Sequence, residues 1–368
     1  MASVMARTRT RAPELRSVDA ITAEIIMHRL CAIPNLIDKN ITRTAFSILI
    51  SEYKDYAVGI VDREGRLVAQ CSGGLPIFIA NALSAAVREG LQIYGEEGLR
   101  HGDVVINNRA ATMGQHLNNV VMYTPIRCGP QHRELFGFLA IVTHWVDVGG
   151  NVVGSSSTTS STEIFQEGIQ FPAMKLLNRG ERDAAMYRLV RANTRFPPLV
   201  LGDMESQLAG CLMGRDMVLE VVRKFGQGTV LASVEAFWRR TEAAVRSAIR
   251  EIPDGTYEAS SFLDDDGIRI GQALPIQVKV TVAGDEITVN LDGLADQVAG
   301  PWNAGFQGGA VAAVRIACKF FFASQDPANE GTFRPIRIEC RPGTLMSARP
   351  NAAIAGSGHN LPDRKSTR

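Results

Sequence analysis

Apolar residues recur at helical spacing in the first two thirds of the chain. Between residues 18 and 39 they lie three or four positions apart, and Asp19 stands before them as an N-cap residue. Pro34 falls inside this first helix, where we expect it to disturb the hydrogen bonding. The same spacing predicts further helices over about 79–88, 203–225 and 229–251.

Strand patterns alternate with these helices. Residues 56–70 form two β-rich runs around Asp62-Arg63-Glu64-Gly65, which predicts a hairpin. Short strands with polar joints follow over about 103–150. Their last run is almost continuously apolar from Leu135 to Val142, which is typical of a buried central strand. The octapeptide THWVDVGG (143–150) is then the end of that strand and the loop that leaves it.

The chain becomes β-rich again after Pro253-Asp254-Gly255. Two alternating runs flank Ala283-Gly284-Asp285 and predict a hairpin, followed by a helix over 308–323 and a strand through Ile336 and Ile338. Segregated helical and strand regions favour an α+β fold, with mixed multi-stranded sheets and flanking helices. We expect four segments: a disordered basic tail (1–16), an N-terminal region (17–252), a β-rich region (253–356) and an atypical tail (357–368).

Composition excludes several classes of function. The 368 residues carry 39 Lys plus Arg against 38 Asp plus Glu, a net charge of +1 that offers no electrostatic grip on nucleic acid or anionic membrane. No apolar run approaches the roughly 20 residues that span a bilayer. The six cysteines lie far apart without a CxxC pair, and the N-terminus lacks an apolar signal-peptide core. We therefore expect a cytoplasmic protein.

Common nucleotide and nucleophile motifs are missing from the sequence. It contains no GxxxxGK[ST], no GxGxxG between a strand and a helix, and no GxSxG. A predicted helix begins at the segment Gly305-Phe306-Gln307-Gly308-Gly309. This segment either binds an anion through its free amides or forms a tightly packed turn. We favour the packed turn.

Two of the six histidines lie in sequence contexts that suggest metal binding or catalysis. His144 ends the central strand three residues before Asp147, and His116 lies between two predicted strands. A divalent metal with an open position takes about three imidazole and carboxylate ligands, so His144, Asp147 and His116 are candidate metal ligands and catalytic residues. The spacing alone leaves two alternatives open, a metal site or a hydrogen-bonded His–Asp pair that shapes the loop.

An ordered set of motifs identifies a family. The set contains ITRTAFS (41–47), GRLVAQ (65–70), GQHL (114–117), THWVDVGG (143–150), TEIFQEG (162–168), LGD (201–203), PDGTY (253–257) and VAGPWN (298–303). Over residues 17–355 the chain resembles the hydantoinase B family, whose relatives include 5-oxoprolinases, N-methylhydantoinase B subunits and acetone carboxylase alpha subunits.

The resemblance implies a B-type subunit of an ATP-dependent hydrolase of cyclic amides such as hydantoins, 5-oxoproline or lactams. An A-type partner with an actin-like ATPase fold would use the ATP and phosphorylate the substrate. In metal-bearing relatives the residues that match His144 and Asp147 are ligands, and the residue that matches His116 is a further candidate. The metal would be Zn, Mn or Fe and would polarise a carbonyl. The alternatives are a ketone carboxylase subunit or an inactive scaffolding subunit.

Several positions depart from the family pattern. Arg109 replaces an acidic residue, Asn119 replaces a carboxylate, and Trp145 and Gln170 stand where relatives carry histidines. Relatives also continue well past the segment that matches 349–356, so we expect a shortened C-terminus. These departures motivate the scaffolding alternative.

Overall fold

The computed structural model describes residues 18–73, 81–155 and 159–357. The helices in these ranges are α1 (Ala20–Thr44), α2 (Ile48–Ser51), α3 (Ala82–Gly98), α4 (Ala110–Met113), α5 (Ala184–Ala192), α6 (Pro197–Phe225), α7 (Gln227–Ile249), α8 (Ala310–Ala323) and α9 (Glu330–Phe333). The strands are β1 (Tyr56–Asp62), β2 (Leu67–Gln70), β3 (Val104–Asn107), β4 (Asn119–Cys128), β5 (Glu134–His144), β6 (Met174–Asn178), β7 (Glu181–Arg182), β8 (Gly255–Leu263), β9 (Leu274–Ala283), β10 (Glu286–Asn290) and β11 (Ile336–Glu339).

The strands form two sheets, and the predicted α+β class is confirmed. The larger sheet has seven strands in the order β2-β1-β5-β4-β3-β6-β7, with antiparallel neighbours throughout. The smaller sheet has the order β11-β10-β9-β8, in which only the β10–β11 pair is parallel. Every residue of β5 after Glu134 is buried, as its apolar run predicts.

Helix α1 begins where it was predicted to begin, and it corrects the expectation for Pro34. The Asp19 carboxylate accepts a hydrogen bond from the Thr22 amide, as an N-cap does. Pro34 lies inside the continuous helix and is buried, so it does not end the helix. By length and composition alone, α1 is also apolar enough to cross a bilayer. Its apolar stripe, which includes Ile26, Leu30 and Ile37, packs into the core beside α6 and α7, as in a core helix of a globular domain.

Helix α7, which ends just before the predicted break near residue 253, contributes to two hydrophobic clusters. Val230 and Trp238 of α7 pack into the core of the large sheet, while Val245 and Ile249 pack into that of the small sheet. The helix predicted to start at 203 begins earlier, at Pro197, and α5 was not predicted. Residues 79 and 80 of the helix predicted over 79–88, and both predicted tails apart from Ser357, lie outside the described residues.

Candidate metal and active site

The register of the large sheet places three polar side chains together at one end of its central strands. His144 is the last residue of β5, and it pairs with Asn119 at the start of β4. On the other side, Tyr56 at the start of β1 pairs with Thr143, so Asp55 stands beside His144. The His144 amide donates to the Asp55 carbonyl at 2.9 Å. Strand pairing therefore brings Asp55 to His144 although 89 positions separate them.

The imidazole of His144 contacts Asp55. Its Nδ1 lies 3.3 Å from Asp55 Oδ2, within ion-pair distance. The angles are not those of a hydrogen bond, so Nδ1 is a buried nitrogen without a hydrogen-bond partner. Asp55 was not among the predicted site residues. The signal that marks it is its position directly before an apolar strand, which becomes informative only when β1 and β5 are known to pair.

His116 completes the cluster from the loop before β4. Its ring meets the ring of His144 edge to face, with centroids 4.9 Å apart. Burial, together with the neighbouring His144, lowers the pKa of His116 to about 4, so its imidazole is neutral at pH 7. Its Nε2 is buried without a hydrogen-bond partner. A neutral imidazole with an unused ring nitrogen is the form in which histidine binds a metal.

Asp147, the third predicted ligand, is held by hydrogen bonds from another part of the chain. The Arg195 guanidinium donates to its Oδ1 at 2.9 Å, and the Arg195 amide donates to its Oδ2 at 2.7 Å. Thr194 and Ser155 donate to it as well. Asp147 is fully buried. It therefore fixes the loop that leaves β5, the loop-shaping role that the spacing left open, although its partner is Arg195 and not His144.

The side chains of His116, His144 and Asp55 are of the types that bind a divalent cation. Two imidazoles and one carboxylate form the mixed set that suits Zn, Mn or Fe, and two buried ring nitrogens lack hydrogen-bond partners. Two ligand atoms of a tetrahedral zinc lie about 3.3 Å apart, given bonds of about 2.0–2.1 Å, and the His144–Asp55 contact has this length. As the side chains stand, no three His, Cys, Asp or Glu residues of the described ranges enclose one point. A metal would have to draw His116, His144 and Asp55 closer together.

The departures from the family pattern have structural partners. Arg109 donates to the buried Glu89 carboxylate at 2.8 Å, which compensates its charge. The buried Trp145 donates to Gln207 Oε1 at 3.2 Å. Gln170 Oε1 accepts from the Ala110 amide at 3.1 Å. None of these three contacts joins the histidine cluster, so the side chains have roles in packing the surrounding loops.

The turn before α8 packs against the His116 loop. Gly309, Ala310 and Val311 all donate their amides to backbone carbonyls, which supports the packed turn over an anion site. The Gly305 amide donates to the Gly114 carbonyl at 3.1 Å. Gly114 has a φ of 66°, and a Cβ there would lie 2.7 Å from Gly308 N. Only glycine fits this close approach, two residues before His116.

A family model and a relative of known name both match the chain and indicate the same family. The family model described as hydantoinase B/oxoprolinase matches residues 19–364, past the point where the motifs end. A relative from Pseudomonas sp. (strain NS671), named as the putative B-type subunit of a D-/L-hydantoinase, is 28% identical over 95% of this chain and 61% of its own length. The chain thus spans about three fifths of that relative.

Two solved structures share the fold. The crystal structure of ATP-dependent caprolactamase from Pseudomonas jessenii superposes with a TM-score of 0.85 at 26% identity, covering 93% of this chain and 57% of that one. The nucleotide-free structure of acetone carboxylase gives a TM-score of 0.84 at 18% identity, covering 95% and 47%. At this identity the second likeness establishes the fold alone.

Proposed function

Because the chain belongs to the hydantoinase B/oxoprolinase family, we propose that it is the B-type part of an ATP-dependent hydrolase of cyclic amides. The substrate would be a hydantoin, an N-methylhydantoin, 5-oxoproline or a lactam. Relatives named as a hydantoinase subunit and a caprolactamase subunit support this class of substrate. The single observation on which the proposal rests is the cluster of His116, His144 and Asp55 in a chain of this family.

A separate A-type ATPase subunit would consume the ATP. The sequence contains no phosphate-binding loop of its own, and relatives are named as subunits of larger enzymes. We place the complex in the cytoplasm, in keeping with the absence of a disulfide among the cysteines of the described residues.

A divalent metal held by His116, His144 and Asp55 would polarise the substrate carbonyl and stabilise the charge that develops on its oxygen. The chain's own residues prepare this site. The low pKa of His116 keeps its ring neutral, and the Asp55 carboxylate lies 3.3 Å from Nδ1 of His144.

Co-expression with an A-type subunit tests the function. The purified complex is screened for substrate-dependent ATP hydrolysis with hydantoins, lactams and ketones, and products are identified by mass spectrometry. We expect turnover with at least one cyclic amide and loss of turnover in His144→Ala. Consumption of bicarbonate with a ketone would show a carboxylase instead. A complex that assembles but turns over no substrate would show a scaffolding role and overturn the proposal.

A further inference from the structure

Two sequence motifs outside the histidine cluster meet at the connection between α1 and α2. ITRTAFS (41–47) ends in this connection, and LGD (201–203) lies on α6. Oδ1 of Asp203 accepts hydrogen bonds from the amides of Phe46 and Ser47, at 2.7 and 3.1 Å. One carboxylate oxygen of α6 therefore holds two consecutive amides directly before α2.

Asp203 uses only one of its two oxygens for this contact. The residue is fully buried, and Oδ2 has no hydrogen-bond partner among the described residues. A buried carboxylate with an unpaired oxygen destabilises the folded chain. An uncharged side chain would pack at this position of α6 with a smaller loss, so the carboxylate is explained by the amides that it binds.

The connection leads directly to Asp55. Ser47 is the N-cap residue of α2, and the carbonyl of Leu49 in α2 accepts the Asp55 amide at 2.9 Å. Lys54 has a φ of 55°, in the left-handed region, so the chain turns sharply just before Asp55. One helical turn and one tight turn thus link the amides that Asp203 holds to the backbone of Asp55.

We infer that Asp203 is a positioning residue that fixes Asp55 beside His144 by holding the start of α2. The Asp55 carbonyl accepts the His144 amide at 2.9 Å, and its carboxylate lies 3.3 Å from His144 Nδ1. The backbone of Asp55 is therefore held from two sides, by α2 through its amide and by β5 through its carbonyl. A supporting contact of this kind keeps a ligand in its binding geometry before the metal arrives. The inference rests on the proposed function only where it concerns the metal.

The chain offers a matched control for a buried carboxylate. Asp103 is fully buried, accepts the amides of Arg100 and Arg179 at 2.8 and 2.7 Å, and pairs with Lys175 at 2.7 Å. It stands directly before β3, and none of these partners belongs to α2. Removal of Asp103 therefore breaks as many amide contacts as removal of Asp203, together with an ion pair, and leaves the α1–α2 connection intact.

The first measurement is hydrogen–deuterium exchange of the metal-free chain, followed by mass spectrometry of peptides that cover residues 45–56. We expect Asp203→Ala to accelerate exchange in these peptides, because two amides lose their acceptor and α2 is released. Asp103→Ala should leave them as in the wild type. Asp203→Asn keeps an oxygen acceptor and should restore slow exchange. If Asp203→Ala does not fold, Asp203→Ser replaces it, because its hydroxyl is one bond shorter and does not reach the amides.

The second measurement is a cobalt titration followed by visible absorption. We expect Asp203→Ala to weaken Co²⁺ binding by about 10–100-fold, the usual effect of losing an outer partner of a metal ligand. Asp203→Asn and Asp103→Ala should bind like the wild type. Because Asp203 acts through Asp55, adding Asp203→Ala to Asp55→Ala should cause no further loss of affinity.

Three results would overturn the inference. Unchanged exchange over residues 45–56 in the Asp203 variant would show that this carboxylate does not hold the connection. Equal acceleration of exchange in α7 would show a general loosening of the fold. Additive losses of Co²⁺ affinity in the double variant would show that Asp203 does not act through Asp55. If the wild type binds no Co²⁺, the metal proposal fails, and the exchange measurement alone decides the role of Asp203.

Discussion

The rings of His116 and His144 meet edge to face at one end of the central strands of the seven-stranded sheet, with planes inclined at 77°. One ring belongs to the loop before β4 and the other to the end of β5, two strands that pair along their whole length. A hydrogen-bonded sheet therefore holds both imidazoles in place, and Asp55 joins them through the pairing of β1 with β5.

Replacement of His144 by alanine should remove metal binding. One of three proposed protein ligands is lost, and we expect the affinity for Zn²⁺ or Mn²⁺ to fall by more than about 100-fold, beyond the loss of about 10–100-fold that is typical of an outer partner. The measurement is the metal content after dialysis against a buffered metal. His28→Ala is the control, because His28 is exposed on α1, where it pairs with Glu24. Equal metal content in wild type and His144→Ala contradicts the proposed ligand set.

Replacement of Asp147 by alanine should lower stability and leave metal binding unchanged. Arg195, Thr194 and Ser155 would lose a buried acceptor. We expect the free energy of unfolding to fall by about 2–4 kcal/mol, with water around the partly exposed Arg195 keeping the loss below that of a fully buried pair. Urea denaturation measures this change. A loss of metal as large as in His144→Ala would return Asp147 to the ligand set.

Alanine at Gly114 should disturb the His116 loop. The added Cβ meets Gly305 O and Gly308 N at 2.7 Å, and the left-handed φ adds strain. We expect a loss of about 2 kcal/mol or more in the free energy of unfolding, together with weaker metal binding.

Gly228 of α7 provides the comparison for this change, because nothing lies within 4 Å of a Cβ built there. Gly228→Ala should be neutral or stabilising by up to about 1 kcal/mol. Denaturation curves of both variants give the result, and similar curves would show that the Gly114 contact has no energetic consequence.

A stacked histidine pair should make stability depend on pH. The rings of His101 and His132 lie parallel with centroids 3.9 Å apart. Burial, then the neighbouring His132 and Arg215, lower the pKa of His101, while Asp216 opposes the shift. The unfolded chain therefore takes up a proton at a higher pH than the folded chain does. Stability is complete above about pH 6.5, the unfolded value for histidine, and decreases as the pH falls below it.

His101→Asn removes this group and should reduce the loss of stability between pH 7.5 and 5.5. Urea midpoints at the two pH values measure the effect, and His28→Asn serves as the exposed control with the slope of the wild type. An unchanged slope in His101→Asn would show that the stacked pair does not contribute. His116, whose pKa is lowered in the same direction, accounts for the slope that remains.

Several elements could be predicted because their causes are local. The Asp19 cap and the apolar stripe of α1, the hairpin around residues 62–65 and the buried run of β5 depend on residues close together in sequence. The family motifs, which are also short runs of neighbouring residues, pointed to His116 and His144. Pro34 was misjudged because the packing of α1 against the core outweighs the hydrogen bond that proline removes.

The sequence by itself determined the fold class, the family and the two histidines, since periodicity and motif order can be read along the chain. Only the tertiary structure decided that Asp55 contacts His144, that Arg195 contacts Asp147, and that Ser357 accepts a hydrogen bond from the His116 amide. Strand register and long loops bring together groups that lie up to 241 positions apart in the sequence. The physical reason is that a side chain's partner is set by the pairing of distant strands and by burial, which sequence spacing does not encode.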